Sequence, residues 1–206
     1  MNSFMLRYGL TGGIASGKST VARMLREHGF PVLEADKISH GLMEPGGAAY
    51  DEVIARFGRE ILDGAGKIDR GRLAAIVFGD RERLNQLNGI IHPGVEVELL
   101  RQLSELQASG TYAAAFVEAA LIFEAGLHTK LDGVVVVWCL PEQQLARLIE
   151  RGLSEAEARR RMAMQMPVEK KLALAAEKID CSGSIEETRR QVDGLAARLR
   201  KAAKAS

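Results

Sequence analysis

Gly12-Gly13-Ile14-Ala15-Ser16-Gly17-Lys18-Ser19 fits the spacing G-x-x-x-x-G-K-[ST], and its flanks give the match meaning. Before it, the apolar stretch from Phe4 to Leu10 stops at Thr11-Gly12-Gly13; after it, an amphipathic pattern runs from Lys18 through Val21, Met24 and Leu25 to a stop at Gly29. The order is strand, glycine loop, helix. Glycines let successive backbone N–H groups turn inward onto phosphate oxygens, and the helix N-terminus adds its partial positive charge. Lys18 then reaches the β- and γ-phosphates, and Ser19 offers a hydroxyl to Mg²⁺. A nucleoside triphosphate with magnesium is implied. No G-x-G-x-x-G occurs, so dinucleotide binding has no support.

With 206 residues, 47% of them hydrophobic and 27% charged, the chain fits one globular domain carrying an inserted subdomain, which excludes disordered and fibrous classes. A chain of this length buries roughly 70% of its unfolded surface and needs no disulfide or metal to hold a core. Lys plus Arg number 28 against 27 for Asp plus Glu, so there is no global field to attract nucleic acid or an acidic membrane. Cys139 and Cys181 lack C-x-x-C spacing, and His28, His40, His92 and His128 form no ligand pair; free thiols and no structural zinc are expected. The N-terminus has no signal-peptide pattern and no run reaches the roughly 18 apolar residues of a membrane span, so a cytoplasmic location is expected.

Phe30-Pro31-Val32-Leu33 reads as a second short strand ending at Glu34 and Asp36. From Ile38 to about Ser109 the pattern is helical and broken at Pro45-Gly46-Gly47, Gly58, Asp63-Gly64-Ala65-Gly66, Gly71 and His92-Pro93, which reads as a helical insertion. Tyr112 to Phe123 is apolar apart from Glu118, and Val134-Val135-Val136-Val137-Trp138 is the pattern of a strand buried on both faces. Pro141 opens a helix over Glu142 to Arg151; Ser154 and Glu157 have capping-box spacing for an arginine-dense helix reaching Pro167. A weak strand near Lys178 to Cys181 and a helix over Ile185 to Lys204 close the chain. The alternation predicts an α/β fold: a three-layer phosphate-loop fold with a parallel sheet of about five strands and its ligands beyond the carboxyl ends of the strands.

A guanine-specific switch needs Asn-Lys-x-Asp, and none of Asn2, Asn85 and Asn88 precedes a lysine; Asp63-Gly64-Ala65-Gly66 fits a D-x-x-G string only among turn residues. The remaining class is the small kinases, which need an acceptor site, a base and cations around the transferring phosphoryl group. Asp36, just past strand two, suits the base, and the same position suits a helix N-cap. Glu118 is either a group acting through water on magnesium or the nucleophile, or a strand-end residue in solvent. Arg147 and Arg151, at i and i+4, and Arg159 to Arg161 form either a closing lid or a solvated face laced with Glu150, Glu155 and Glu157.

These residues resemble the dephospho-coenzyme A kinase family along nearly the whole chain. Gly9 to Ile14 running into Ser16-Gly17-Lys18-Ser19-Thr20 resembles its phosphate loop, and Ala35-Asp36-Lys37-Ile38 its segment carrying the catalytic base. Phe57-Gly58, Asp69-Arg70, Leu87-Asn88 and His92-Pro93 fall in family order, Leu121-Ile122-Phe123-Glu124 is similar to its third-strand motif, and Arg147, Arg161 and Gln165 resemble its lid. The resemblance implies a single kinase domain: a core of about 1–37 and 111–206, a helical coenzyme-binding insertion of about 38–110, and a lid of about 142–167. It implies ATP and Mg²⁺ as cofactors and transfer to the ribose 3′-hydroxyl of dephospho-coenzyme A. Asp36, Lys18 and Arg147 would be catalytic. ATP would be held by Gly13, Ile14, Ala15, Ser16, Gly17, Lys18, Ser19, Thr20, Arg147 and Arg161, and the metal by Ser19. The substrate would be held by Asp36, Asp69, Arg70, His92, Pro93 and Glu118. Neither a nucleic-acid nor a membrane partner is expected, and the chain is expected to be a monomer or weak homo-oligomer. Ala15, Glu34, Ala120, Ala176 and Cys181 depart from the residues usual in the family.

Other readings are a different small-metabolite or nucleoside-monophosphate kinase, or a regulatory protein that binds ATP without transferring phosphate. Asp36→Asn is expected to keep ATP binding and lose a factor of roughly 10² to 10⁴ in turnover, measured in steady state; unchanged turnover would make Asp36 a helix cap.

Overall fold

The computed structural model describes residues 5–77 and 80–205. Phe4, at the head of the first apolar stretch, lies outside them. Two compact units are present, one made of the chain up to Leu33 and from Leu103 onward, the other of Glu34–Gln102.

The first unit is built on a five-stranded sheet. Its strands are β1 (Leu6–Gly12), β2 (Val32–Glu34), β3 (Ala114–Glu118), β4 (Gly133–Trp138) and β5 (Glu177–Asp180), in the order β2-β3-β1-β4-β5. β1 lies between two parallel partners, with Leu10 opposite Glu118 of β3 and Val135 of β4. Such a strand is buried on both faces, and β4 shows how its sequence meets that demand. Val135 and Val137 pack on one side with Val21, Met24 and Leu25 of α1 (Lys18–Glu27) and Val192, Leu195 and Leu199 of the terminal helix; Val134 and Val136 pack on the other with Ile122 and Phe123. Period-two alternation of four valines thus supplies two cores from one strand. The α/β sheet with helices on both faces is the architecture the alternation of elements predicts.

The second unit is helical. α2 (Ala35–Leu42) follows β2 directly, α3 is Tyr50–Phe57 and α4 Arg70–Val77; α5 is Arg81–Ala108, its last turns belonging to the first unit. The core of the unit gathers Val53, Phe57, Ile61, Leu73, Val77, Leu87 and Ile91. Gly58 ends α3 at φ +88, as a glycine stop does. Asp63-Gly64-Ala65-Gly66 is a turn closed by Asp63 Oδ1, which accepts from the amides of Ala65 and Lys67, beneath a Leu62–Ile68 bridge.

His92-Pro93 differs from the expected break, because α5 runs straight through Pro93. An internal proline costs a helix about 3 kcal/mol, and burial of Leu87 and Ile91 before it and Leu99 after it offsets that cost. In the first unit the remaining helices are α6 (Pro141–Glu150), α7 (Glu155–Ala163), α8 (Val168–Leu174) and α9 (Ile185–Ala205). Pro167 separates α7 from α8, a helix that the sequence reading leaves out. Of the capping box at α7 only one half forms: Ser154 Oγ accepts from the Glu157 amide, while the Glu157 carboxylate turns to Arg160 and Arg161.

Burial pushes the half-buried His92 imidazole below its ordinary pKa of 6.5. Unfolding therefore takes up a proton below that pH, and stability that is intact above about pH 6.5 declines as pH falls toward the folded value. His92→Gln is expected to lose less stability than the wild type between pH 7 and pH 5 in urea titrations; equal losses would show that His92 does not contribute.

Candidate functional site

β1 ends against β4 so closely that a Cβ on Gly12 would lie 2.2 Å from the Val137 carbonyl oxygen. Only glycine fits there. The chain then leaves the sheet through a turn closed by the Ser16 amide on the Gly13 carbonyl, 3.2 Å, with Ala15 at φ +58 and Gly17 at φ +101. Alternating left-handed residues turn successive amides toward a common point, the geometry of an anion nest. Gly17, Lys18 and Ser19 precede the first amide donor of the helix, Thr20, which bonds the Gly17 carbonyl, so their own amides lie at the open N-terminus of α1 with the helix dipole behind them. Ser16 Oγ is buried without a partner among the described residues, a defect that a phosphate oxygen would repair. Such a backbone is concave and lined by amides, a geometry that can receive an anion.

Lys18 Nζ lies 3.0 Å from Glu118 Oε1 at the end of β3, with the two side chains only 18% and 11% exposed. Of the alternatives for Glu118, the strand-end residue in solvent is therefore excluded. The pair arises from the register that sets Leu10 opposite Glu118.

Arg147 is placed by α6 behind the loop rather than spread over it. Its guanidinium donates to the Ala15 carbonyl at 3.0 Å, the Cys139 sulfur at 3.3 Å and the Cys181 carbonyl at 3.2 Å. One planar donor fork thus ties the strained residue of the loop to the carboxyl ends of β4 and β5. Burial pushes the Cys139 and Cys181 thiols up, outweighing the nearby Arg147, so both remain protonated at neutral pH. A Cβ on Gly17 would meet the Cys181 sulfur at 3.1 Å. Beside these groups is a cavity of about 340 Å³, lined by Gly17, Thr20, Arg147, Arg151, Cys181 and Thr188 among others. The i, i+4 spacing marked Arg151; Thr188 had no signal in the sequence, since only the docking of α9 brings it there.

Gln165 Oε1 accepts from the Ile14 amide at 2.8 Å, joining the segment after α7 to the loop. Arg161 is instead paired with Glu157 at 2.9 Å and is half exposed. In the helical unit, Asp36 is exposed in the first turn of α2, whose N-cap position is Glu34, so Asp36 is not the cap. His40 lies one turn further on, its pKa lowered by burial and by Arg70 against the opposing pull of Asp36 and Glu44. Asp69 caps α4, accepting from the amides of Gly71 and Arg72, while Pro93 is exposed and His92 half-buried on α5.

A family model described as dephospho-CoA kinase matches residues 6–187. The chain is 48% identical over 185 residues to a dephospho-CoA kinase of Carboxydothermus hydrogenoformans, covering 89% of each, and 45% identical over 188 residues to one of Geobacillus kaustophilus, covering 91% of this chain and 93% of that one. Among solved structures it is similar to a Thermus thermophilus protein (36% identity, TM-score 0.80) and to a dephospho-CoA kinase from Campylobacter jejuni (30% identity, TM-score 0.72), each alignment covering 95% of this chain and 98% of the other.

Left-handed backbone costs a non-glycine residue about 1 to 2 kcal/mol, and a glycine loses about 0.5 to 1 kcal/mol more than alanine in chain entropy. Ala15→Gly is accordingly expected to leave stability unchanged or raise it by up to about 1 kcal/mol, and Gly17→Ala to lower it by more than about 1 kcal/mol through φ strain and the Cys181 contact, measured by denaturant unfolding. A destabilised Ala15→Gly would show that the Ala15 methyl packs favourably enough to outweigh its strain.

Proposed function

Because the chain belongs to the dephospho-CoA kinase family, we propose that it transfers the γ-phosphoryl group of ATP to the ribose 3′-hydroxyl of dephospho-coenzyme A, giving coenzyme A and ADP, the last step of coenzyme A biosynthesis. The observation that carries this reading is a family match over residues 6–187 that includes a fully formed phosphate loop with its lysine held by a carboxylate. Lys18 exchanges Glu118 for the β- and γ-phosphates, and the outward amides of Gly17, Lys18 and Ser19 receive phosphate oxygens. Asp36 takes the proton of the attacking hydroxyl as its oxygen bonds to the γ-phosphorus and ADP leaves. Arg147 fixes the loop through Ala15 and borders the nucleotide cavity; Arg161 closes over the nucleotide from a lid of about 142–167 once it leaves Glu157.

Ser19, exposed at the start of α1, would offer its hydroxyl as the protein's ligand to Mg²⁺. When bound, the ion neutralises charge on the β- and γ-phosphate oxygens. The helical unit, with Asp69, Arg70, His92 and Pro93, is the coenzyme-binding region in this reading, and Glu118 orients groups at the acceptor side. No helix among the described residues is long and apolar enough to cross a membrane; we take the enzyme to act in the cytoplasm as a monomer or weak homo-oligomer.

The test is phosphoryl transfer from Mg·ATP with dephospho-coenzyme A, adenosine, AMP or no acceptor run in parallel. Coenzyme A is the expected product. ATP consumption with only another acceptor would reassign the substrate, and ATP binding without transfer to any acceptor would make the protein a nucleotide-binding regulator.

A further inference from the structure

Lys171, on α8, is fully buried, an unusual place for an ammonium group. Its Nζ donates to the Ala120 carbonyl at 2.8 Å and lies 3.0 Å from Glu124 Oε1. Each partner is shared with a segment that leads to the phosphate loop. The Ala120 carbonyl also accepts from Thr11 Oγ1 at the end of β1, 3.1 Å away, and lies two residues beyond Glu118, the partner of Lys18. Glu124 Oε1 also accepts from the Met166 amide at 3.1 Å, and the residue before it, Gln165, holds the Ile14 amide.

One buried cation therefore fastens the segment that carries Glu118 to the segment that carries Gln165. Replacing a buried ion pair by packed apolar residues is often neutral or stabilising, so burial of this pair is weak evidence of a contribution to stability alone. We propose that Lys171 is a positioning residue for phosphoryl transfer: it sets Glu118, the partner of Lys18, and Gln165, which pins the loop backbone at Ile14, so that the lysine and the loop are placed for the phosphates. Lys171 does not touch the nucleotide. Its effect passes through Glu118 and Gln165, and misplacing a reacting group's supports by about 1 Å is enough to cost on the order of 10² in rate.

This proposal rests on the kinase reading, so the wild type runs beside every variant; a wild type inactive toward all acceptors refutes that reading, whereas the outcomes below concern Lys171 alone. Lys171→Met/Glu124→Met removes both charges together and avoids stranding either one in the interior. The expected result is a melting temperature within a few degrees of wild type, a kcat lowered roughly 10- to 100-fold, weaker ADP binding by calorimetry, and a KM for dephospho-coenzyme A within about twofold of wild type. Glu124→Gln, milder and partly solvent-exposed, covers the case in which the double variant does not fold; its kcat is expected to fall severalfold in the same direction. Folded variants with lowered melting temperatures but unchanged kcat and ADP affinity would overturn the proposal and leave Lys171 a purely structural group.

Discussion

The contact between the end of β1 and β4 governs the site. A Cβ at Gly12 would fall 2.2 Å from the Val137 carbonyl, so the two backbones meet where any side chain would separate them. Because they meet, the chain must leave the sheet abruptly, and it does so through left-handed residues that no ordinary strand-to-helix connection needs. The same closeness brings the carboxyl ends of β4 and β5, with Cys139 and Cys181, against the back of the loop, where Arg147 finds three acceptors. Phosphate binding is in this sense a consequence of strand packing.

Around that contact, three cations of the first unit are engaged with protein atoms. Lys18 has Glu118, Arg147 has two carbonyls and a sulfur, and Lys171 has Ala120 and Glu124. They differ in what ligand binding asks of them. In the proposed reaction Lys18 would exchange one anionic partner, the Glu118 carboxylate, for another, the phosphates. Arg147 and Lys171 instead donate to backbone carbonyls, Arg147 at Ala15 and Cys181 and Lys171 at Ala120. A loop with Ala15 at positive φ depends on such support, since the strain would otherwise relax in whatever direction the chain allows.

The strands and the loop were legible because each is a local pattern with one physical meaning: four consecutive valines demand burial on both faces, and two glycines with a lysine at fixed spacing demand a turn of amides. Pro93 misled for the complementary reason. Its local rule is strong, about 3 kcal/mol, but packing at Leu87, Ile91 and Leu99 opposes it, and burial is not a local property. Ser154 and Glu157 likewise had capping-box spacing, and the glutamate's nearer arginines took it instead. Lys171 gave no signal at all, because the second of two adjacent lysines, Lys170 and Lys171, after Pro167 reads as surface until the loop after β3 is folded onto it.

The sequence alone determined the chemistry available: a phosphate loop with its lysine and serine, an aspartate just after the second strand, a helical insertion, and the family to which these belong in order. Those are properties of residue type and spacing, and spacing along the chain fixes local backbone geometry. What the tertiary structure decided is which partners those residues keep. The register of β1 against β3 gave Lys18 to Glu118, the docking of α6 turned Arg147 onto the Ala15 carbonyl, and the return of α8 buried Lys171 against Ala120 and Glu124. Each of these contacts joins residues far apart in the chain, and only the closing of a common core brings such residues within bonding distance.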